Sequence, residues 1–354
     1  MMESWWCRDC ALPSEAHAAR ARRRQQQLTK PLGALGQVER LAIELAALQA
    51  TDLPRATRAP VLLFAADHGV VAQDVSAYPA EVTVQMLANF AAGGAAIAVL
   101  ARELGLPLYL RDVGTLADGP VAGATVDKPC RGTRDLSVEA AMSEDELVHA
   151  LEAGRRAVEE ACGQADLVLL GEMGIGNTTA ASALACVLGG LPPSGLVGAG
   201  TGLDAARIEL KRAVVERALQ LHGDAVAAAA CTGLEALRRV GGLEIAAMAG
   251  AMLAAAQRGI PVLVDGFIVS AAALAAVRLN PGVRAWLLFS HCSAEQGHAR
   301  LLQLLDATPL LHLDLRLGEG SGAALALPLL RLACALHNGM ATFQDASVAG
   351  ASPA

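Results

Sequence analysis

The spacing of apolar residues changes once along the chain, at Val61. Before it, Ser14 to Gln49 reads as two helices broken near Pro31-Leu32-Gly33, with Leu35, Val38, Leu41, Ile43 and Leu48 on an apolar face. No strand signal precedes Val61. From there, short and continuously apolar runs alternate with helical stretches. Val61–Phe64, Leu106–Val113, Leu167–Leu170, Val262–Val264 and Trp286–Phe289 predict strands, with Leu310–Leu315 as a sixth. Helices are predicted over Ala80–Leu104 and Ser143–Cys162, and from Thr178, Asp204, Leu243, Phe267 and Ser321 onward. Gly114 to Asp135 is glycine-rich and predicts irregular structure.

Runs that are apolar at every position suit strands buried on both faces. Alternating with helices, they predict an α/β protein with a parallel sheet covered by helices on both sides and joined by right-handed crossovers. The two N-terminal helices and the last helix fall outside this alternation and can form a small helical subdomain. The strand ends are polar: Asp67-His68-Gly69, Asp112-Val113-Gly114, Gly171-Glu172, Asp265-Gly266, Ser290-His291 and Gly318-Glu319. Ligands of open parallel sheets bind outside the carboxyl ends of the strands, so these residues converge on a candidate site.

Composition narrows the class. The 354 residues are enough for one large or two ordinary domains. Hydrophobic residues make up 54% and aromatic residues only 3%, so Ala and Gly fill a closely packed interior. A mean hydropathy of +0.41 raises the question of membranes. The uncharged stretch Asn177–Leu203 contains Pro192 and Pro193, however, and Gly259–Val277 is interrupted by Pro261 and Asp265. Both read as buried core rather than spanning helices. The first ten residues carry no apolar run of signal-peptide length, which predicts a cytoplasmic protein. The net charge is -7 and Arg20 to Arg24 is the one dense basic run, which disfavours nucleic acid as a partner. Of eight cysteines, six are scattered and fit reduced thiols. Cys7-x-x-Cys10 lacks the second pair of a zinc site and the βαβ context of a redox site.

Four constellations can carry chemistry. Gly171-Glu172-Met173-Gly174-Ile175-Gly176-Asn177-Thr178-Thr179 follows a strand and opens a helix, where backbone N–H groups and hydroxyls form an anion cradle. It differs from a P-loop in having Asn177 where the lysine belongs, which favours a monophosphate over ATP. The bland reading is a glycine-rich turn with Thr caps. Val197-Gly198-Ala199-Gly200-Thr201-Gly202-Leu203-Asp204 is a weak dinucleotide fingerprint and equally a second glycine wall, with Asp204 as N-cap and Lys211 two turns on. Glu319 stands between Gly318 and Gly320, where a substrate can approach closely. It can act as a general base in an apolar pocket, or simply complement a helix dipole. Asp67-His68 suggests structural hydrogen bonding more than a metal site, since no second ligand spacing accompanies it, and Ser290, His291 and Ser293 invite a serine-hydrolase reading that the lack of a nucleophile elbow disfavours.

Taken together and in order, these segments resemble the nicotinate-nucleotide:dimethylbenzimidazole phosphoribosyltransferase family of cobalamin lower-ligand assembly. The matching text is Lys30-Pro31-Leu32-Gly33-Ala34-Leu35-Gly36 with Glu39, Ala66-Asp67-His68-Gly69-Val70, Gly171 to Thr179, Lys211, Asp265-Gly266-Phe267, Ser290-His291 and Arg316 to Ala324. The resemblance spans about Ser14 to Thr342. It implies a Rossmann-like domain over 59–320 and a small helical domain built from 1–58 and 321–354. It also implies a homodimer that needs no metal or cofactor. The implied reaction takes nicotinate mononucleotide and 5,6-dimethylbenzimidazole to α-ribazole 5′-phosphate and nicotinate.

By the same resemblance, Glu319 is the general base and Glu172 stabilises the ribose and its developing charge. Gly174, Gly176, Asn177, Thr178, Thr179, Lys211, Gly200, Gly318 and Gly320 bind phosphate and ribose. Tyr78, Gln85, Met86 and Leu317 form the acceptor-base pocket, and Ser290 and His291 lie near the nicotinate. The alternatives are the same chemistry on another acceptor base, a non-catalytic sensor of nicotinate mononucleotide, and a P-loop-like kinase or ATPase, against which Asn177 argues.

Overall fold

A computed structural model describes residues 4–198, 200 and 202–349 of the chain. Two helices come first, α1 (Glu15–Gln27) and α2 (Gln37–Leu48). Then follow β1 (Val61–Ala66), α3 (Glu81–Ala91), α4 (Ala96–Leu104), β2 (Leu108–Gly114), β3 (Ala124–Val126) and α5 (Glu144–Ala161). The second half runs β4 (Val168–Met173), α6 (Asn177–Gly189), α7 (Ala205–Ala227), α8 (Thr232–Val240), α9 (Leu243–Gln257), β5 (Val262–Val264), α10 (Phe267–Leu279), β6 (Leu287–Phe289), α11 (His298–Leu304) and α12 (Ser321–Gly339).

The six strands form one sheet in the order β3-β2-β1-β4-β5-β6, and every pairing is parallel. This is the doubly wound order of the Rossmann fold, with its switch point between β1 and β4. Every residue of β1 is buried, as a strand covered on both faces requires. The register places Phe64 opposite Glu172. It thereby carries both strand ends to the same edge of the sheet.

The small-residue composition has a structural cause. Gly154 of α5 and Gly250 of α9 sit where two helix backbones touch: a Cβ on Gly154 would lie 1.9 Å from the Ala247 carbonyl oxygen, and one on Gly250 would lie 2.1 Å from that of Leu151. Every residue of α9 from Leu243 to Ala256 is buried. Helix starts follow local chemistry. Ser143 and Glu146 form a capping box on α5, and Asp204 caps α7 by accepting from the Arg207 N–H at 2.9 Å.

The chain ends are tied together. Arg24 donates to the carbonyls of His337, Asn338 and Met340, and Leu28 bridges Thr342. Helix α12 packs against α2, but also against α4 and β4, so it belongs as much to the sheet as to the N-terminal helices.

Several expectations change. Leu310–Leu315 is not a strand; Leu310 and Leu311 donate N–H groups to the carbonyls of Phe289 and Ser290, and the Leu311 and Leu315 carbonyls accept from Cys292 and Ala294, along the edge beyond β6. The sixth strand is β3, hidden in the glycine-rich segment because Ala124-Thr125-Val126 is short and, unlike the equally short β5 and β6, not apolar at every position. Ala80–Leu104 is two helices, broken at Gly93-Gly94. This is also the one stretch, among the described residues, long and apolar enough to cross a membrane, and the break divides it into helices of eleven and nine residues. Helices α8 and α11 had no distinct signal in the sequence.

Candidate active site

A cavity of about 380 Å³ opens at the carboxyl ends of β4, β5 and β6. One wall is Tyr78, with Val82 and Met86 of α3. The floor is Glu172 to Ile175, and the roof is Arg316 to Glu319. Phe267, Ile268 and Val269 at the start of α10 make much of the lining apolar.

Glu319 enters this cavity from an unusual turn. Gly318, Glu319 and Gly320 all have positive φ, at 87°, 64° and 85°. A non-glycine residue in this region marks strain held by its surroundings. The strain is enforced by close backbone approach, because a Cβ on Gly171 of β4 would lie 2.3 Å from the Glu319 carbonyl oxygen. Asp265 pins the far side of the turn. Its carboxylate accepts from the N–H groups of Gly320 at 3.2 Å and Ala323 at 2.8 Å, at the start of α12. Burial pushes Asp265 up to about 7 even so.

The two glutamates are both buried, Glu172 at 4% exposure and Glu319 at 6%. Glu172 accepts from the Asn177 side-chain amide at 2.5 Å and from the Glu319 backbone N–H at 3.3 Å. Burial, with the nearby charges of Asp265 and Glu244, pushes Glu172 up to about 8. Glu319 Oε2 accepts from the Ile97 N–H at 3.4 Å at the start of α4. Burial raises its carboxyl above the usual range, against the opposing backbone hydrogen bonds of Ile97 and Ala96. A carboxylate in apolar surroundings with a raised pKa is suited to taking a proton.

At the other end, a side pocket of about 30 Å³ shares Gly174, Ile175, Asn177, Thr178 and Gly200 with the main cavity and adds Ser76, Gly176 and Lys211. It faces the N-terminus of α6, the positive end of the helix dipole, which favours an anion. Lys211 is 1% exposed and donates to Thr178 Oγ1 at 2.7 Å. Burial lowers it to about 8, with Glu295 opposing. Arg316 donates to the Gly200 carbonyl at 3.4 Å and, among the described residues, is the one Lys or Arg side chain lining the larger cavity.

Not every expected residue reaches a cavity. Tyr78, Met86 and Leu317 line the large one, but Gln85 is exposed on α3 and does not. The α3 turn that brings Val82 and Met86 inward carries Gln85 to the outer face. Thr179 is fully buried and lines neither cavity. Gly320 shapes the turn without lining the space. Ser290 is buried behind His291, with its hydroxyl 2.9 Å from His291 Nδ1. His291 does line the cavity, and burial pushes it down to about 4. Ala199 and Thr201 of the second glycine wall lie outside the described residues. Lys30 and Glu39 form a buried ion pair at 2.8 Å and line neither cavity.

The site also holds Asp265, Ser293 and Glu295; the sequence placed Asp265 at a strand end and Ser293 beside Ser290 and His291 but gave neither a role in binding, and it gave no sign of Glu295. Asp265 had a signal, because it ends β5. Ser293 and Glu295 come from an irregular stretch with no periodicity. Among the described residues, no group of three His, Cys, Asp or Glu is placed to hold a metal ion.

A family model described as a phosphoribosyltransferase matches residues 10–348. The chain belongs to this phosphoribosyltransferase family. It is 63% identical over 351 residues to the nicotinate-nucleotide–dimethylbenzimidazole phosphoribosyltransferase of a Bradyrhizobium species (strain BTAi1), covering 99% of both chains. It is 56% identical over 351 residues to the protein of the same name from Pseudomonas putida, again covering 99% of both. The crystal structure of the corresponding protein from Thermus thermophilus superposes with a TM-score of 0.89 at 45% identity, covering 96% of this chain and 100% of that one. Both walls of the cavity and both glutamates fall within the residues that the phosphoribosyltransferase model matches.

Proposed function

We propose that the protein transfers the phosphoribosyl group of nicotinate mononucleotide to 5,6-dimethylbenzimidazole, giving α-ribazole 5′-phosphate and nicotinate. The observation that carries the reading is the meeting of two buried glutamates in an apolar cavity that ends in an anion cradle. The phosphate takes the N-terminus of α6, with Gly174, Gly176, Asn177, Thr178 and Lys211 around it. Gly200 and Gly318 border the ribose. Held there, the mononucleotide keeps C1′ in place for attack, which supplies orientation.

The acceptor occupies the wall made by Tyr78, Met86 and Leu317. One benzimidazole nitrogen attacks C1′ from the face opposite the nicotinate, while Glu319 takes the proton from the other nitrogen. The C1′–N bond breaks and its electron pair returns to the pyridinium ring, which leaves as neutral-ring nicotinate without needing an acid. Displacement from the rear converts the β nucleotide into the α product. Charge grows on the ribose as the bond lengthens, and Glu172, oriented by Asn177, can stabilise that charge in its ionised form, which the cationic pyridinium ring of the bound nucleotide favours. His291 and Ser293 face the space left for nicotinate.

The test is a product assay. Purified protein, nicotinate mononucleotide and dimethylbenzimidazole should give α-ribazole phosphate and nicotinate in equal amounts by chromatography. Binding of the mononucleotide without product would overturn this acceptor. A different acceptor base is the second reading, and one feature favours testing it. Tyr78 and Leu317 are 51% and 60% exposed, so the acceptor end is the open end of the cavity. A panel of purines and phenols in the same assay separates the two.

A further inference from the structure

Beneath the phosphate cradle lies a pair of buried ionisable residues that the mechanism does not use. His68 follows β1 and Glu244 stands in the first turn of α9. Their side chains are 0% exposed, with His68 Nε2 2.7 Å from Glu244 Oε1. The contact sits between two glycines. A Cβ on Gly174 would lie 3.2 Å from Glu244 Oε1 and 3.3 Å from His68 Nε2. A Cβ on Gly242 would lie 2.3 Å from His68 Cε1 and 2.8 Å from Glu244 Oε2. The Cβ position of Gly176, whose φ is 92°, is 3.4 Å from His68 Cβ. The loop that opens α6 therefore rests directly on this pair. His68 Nδ1 and Glu244 Oε2 have no other hydrogen-bond partner among the described residues. A buried ionisable pair with incomplete hydrogen bonding is weak support for stability, and its retention calls for another role.

We infer that His68 and Glu244 are positioning residues: their contact sets the height of the Gly174–Gly176 loop, and through it the phosphate cradle and the orientation of Glu172. The coupling runs through named bonds. Asn177 donates its N–H to the Gly174 carbonyl at 3.1 Å and its side-chain amide to Glu172. Thr178, next in the chain, receives Lys211. Thr83 of α3 holds the top of the loop by accepting from the Ile175 N–H at 3.1 Å. If the pair is lost, the loop has one fixed side instead of two. The acceptor wall at Tyr78, Met86 and Leu317 does not contact the pair, so the two substrates should respond differently.

This inference rests on the proposed reaction, and the test separates the two. His68→Gln, Glu244→Gln and the double variant are compared with wild type by steady-state kinetics in both substrates and by thermal melting. Loss of loop position should raise KM for the mononucleotide about tenfold and lower kcat by a similar factor, while KM for the benzimidazole stays unchanged. The double variant should be no worse than either single one, because both act through one contact. A merely structural pair would lower Tm and leave the kinetics of the folded protein unchanged, which overturns the inference. Should His68→Gln fail to fold, Glu244→Gln carries the same comparison. An inactive wild type would instead overturn the reaction.

Discussion

The backbone N–H of Glu319 donates to Oε1 of Glu172 at 3.3 Å. The residue proposed to take a proton is thus bound, through its main chain, to the residue proposed to stabilise the ribose. The two side chains approach the cavity from different elements, one from the turn before α12 and one from β4. Any change that moves the turn moves both.

Replacing Glu319 by Gln keeps the shape and removes the base. Mononucleotide affinity should hold in calorimetry, while turnover falls about 100-fold or more. The pH profile gives an independent check. Burial raises Glu319 above its usual value of 4.5, and the base works only when deprotonated, so kcat/KM should rise with pH through that raised value. The acid limb should vanish in the variant. Near-wild-type turnover at saturating acceptor rules out the assignment.

Glu172 makes a prediction about stability. Its carboxyl is lifted from 4.5 to about 8 in the folded protein, so its neutral form fits the fold better. Stability from this group is complete below the unfolded value and is lost as pH rises toward 8. Wild-type Tm should therefore decline between about pH 5 and about pH 8, and Glu172→Gln should flatten that slope while lowering turnover. Asp265, raised from 3.8 to about 7, accounts for a slope that remains. An unchanged slope in the variant counts against a neutral buried Glu172.

Lys211 should govern mononucleotide binding alone. Its ammonium is lowered to about 8 by burial, so in the free protein it loses charge as pH climbs through that value. Affinity for the mononucleotide should fall over the same range in calorimetry. Lys211→Met should weaken it by about 10- to 100-fold, the effect of one charge-assisted hydrogen bond, with KM for the benzimidazole unmoved. Equal losses for both substrates would show that Lys211 acts on folding instead.

Gly318 tests the turn. Its φ of 87° disfavours any side chain, and a Cβ there would lie 2.3 Å from Glu172 Oε1. Gly318→Ala should displace Glu172 and reduce turnover about 100-fold, as a small misplacement of a reacting group does. Circular dichroism should remain that of the wild type. Retained turnover would mean that the turn yields without moving the carboxylate.

Tyr78 and Gln85 form a contrasting pair. Tyr78 lines the cavity and Gln85 does not. Tyr78→Ala should raise KM for dimethylbenzimidazole and admit bulkier acceptors, whereas Gln85→Ala should behave as wild type. A strong effect at Gln85 would mean that the acceptor wall extends further along α3 than the cavity does.

Much of the architecture was legible because it is written in local chemistry. The runs at Val61, Leu167 and Val262 are apolar at every position, short, and ended by glycine or acidic residues, which suits a strand covered on both faces. Gly171 to Thr179 announces a strand-to-helix turn whatever surrounds it, and the order of the motifs identified the family before any coordinates. Tertiary structure decided the rest. Strand β3 is three residues long and exists because β2 offers its edge, whereas the more apolar Leu310–Leu315 meets the edge beyond β6 through a single bridge, His291 to Leu311, and otherwise stays irregular. Gln85 and Met86 are adjacent in sequence, but the rotation of α3 puts only one of them in the cavity. Asp265 reads as a strand end in sequence and becomes the clamp on the Gly318–Gly320 turn only once the start of α12 reaches it, where Gly320 and Ala323 donate to its carboxylate. His68 and Glu244 are 176 residues apart and meet only where β1 and α9 converge under the Gly174–Gly176 loop. Hydrophobic period and turn chemistry act between neighbours and so can be read along the chain. Contacts between distant side chains depend on sheet order and helix rotation, which packing of the whole molecule sets.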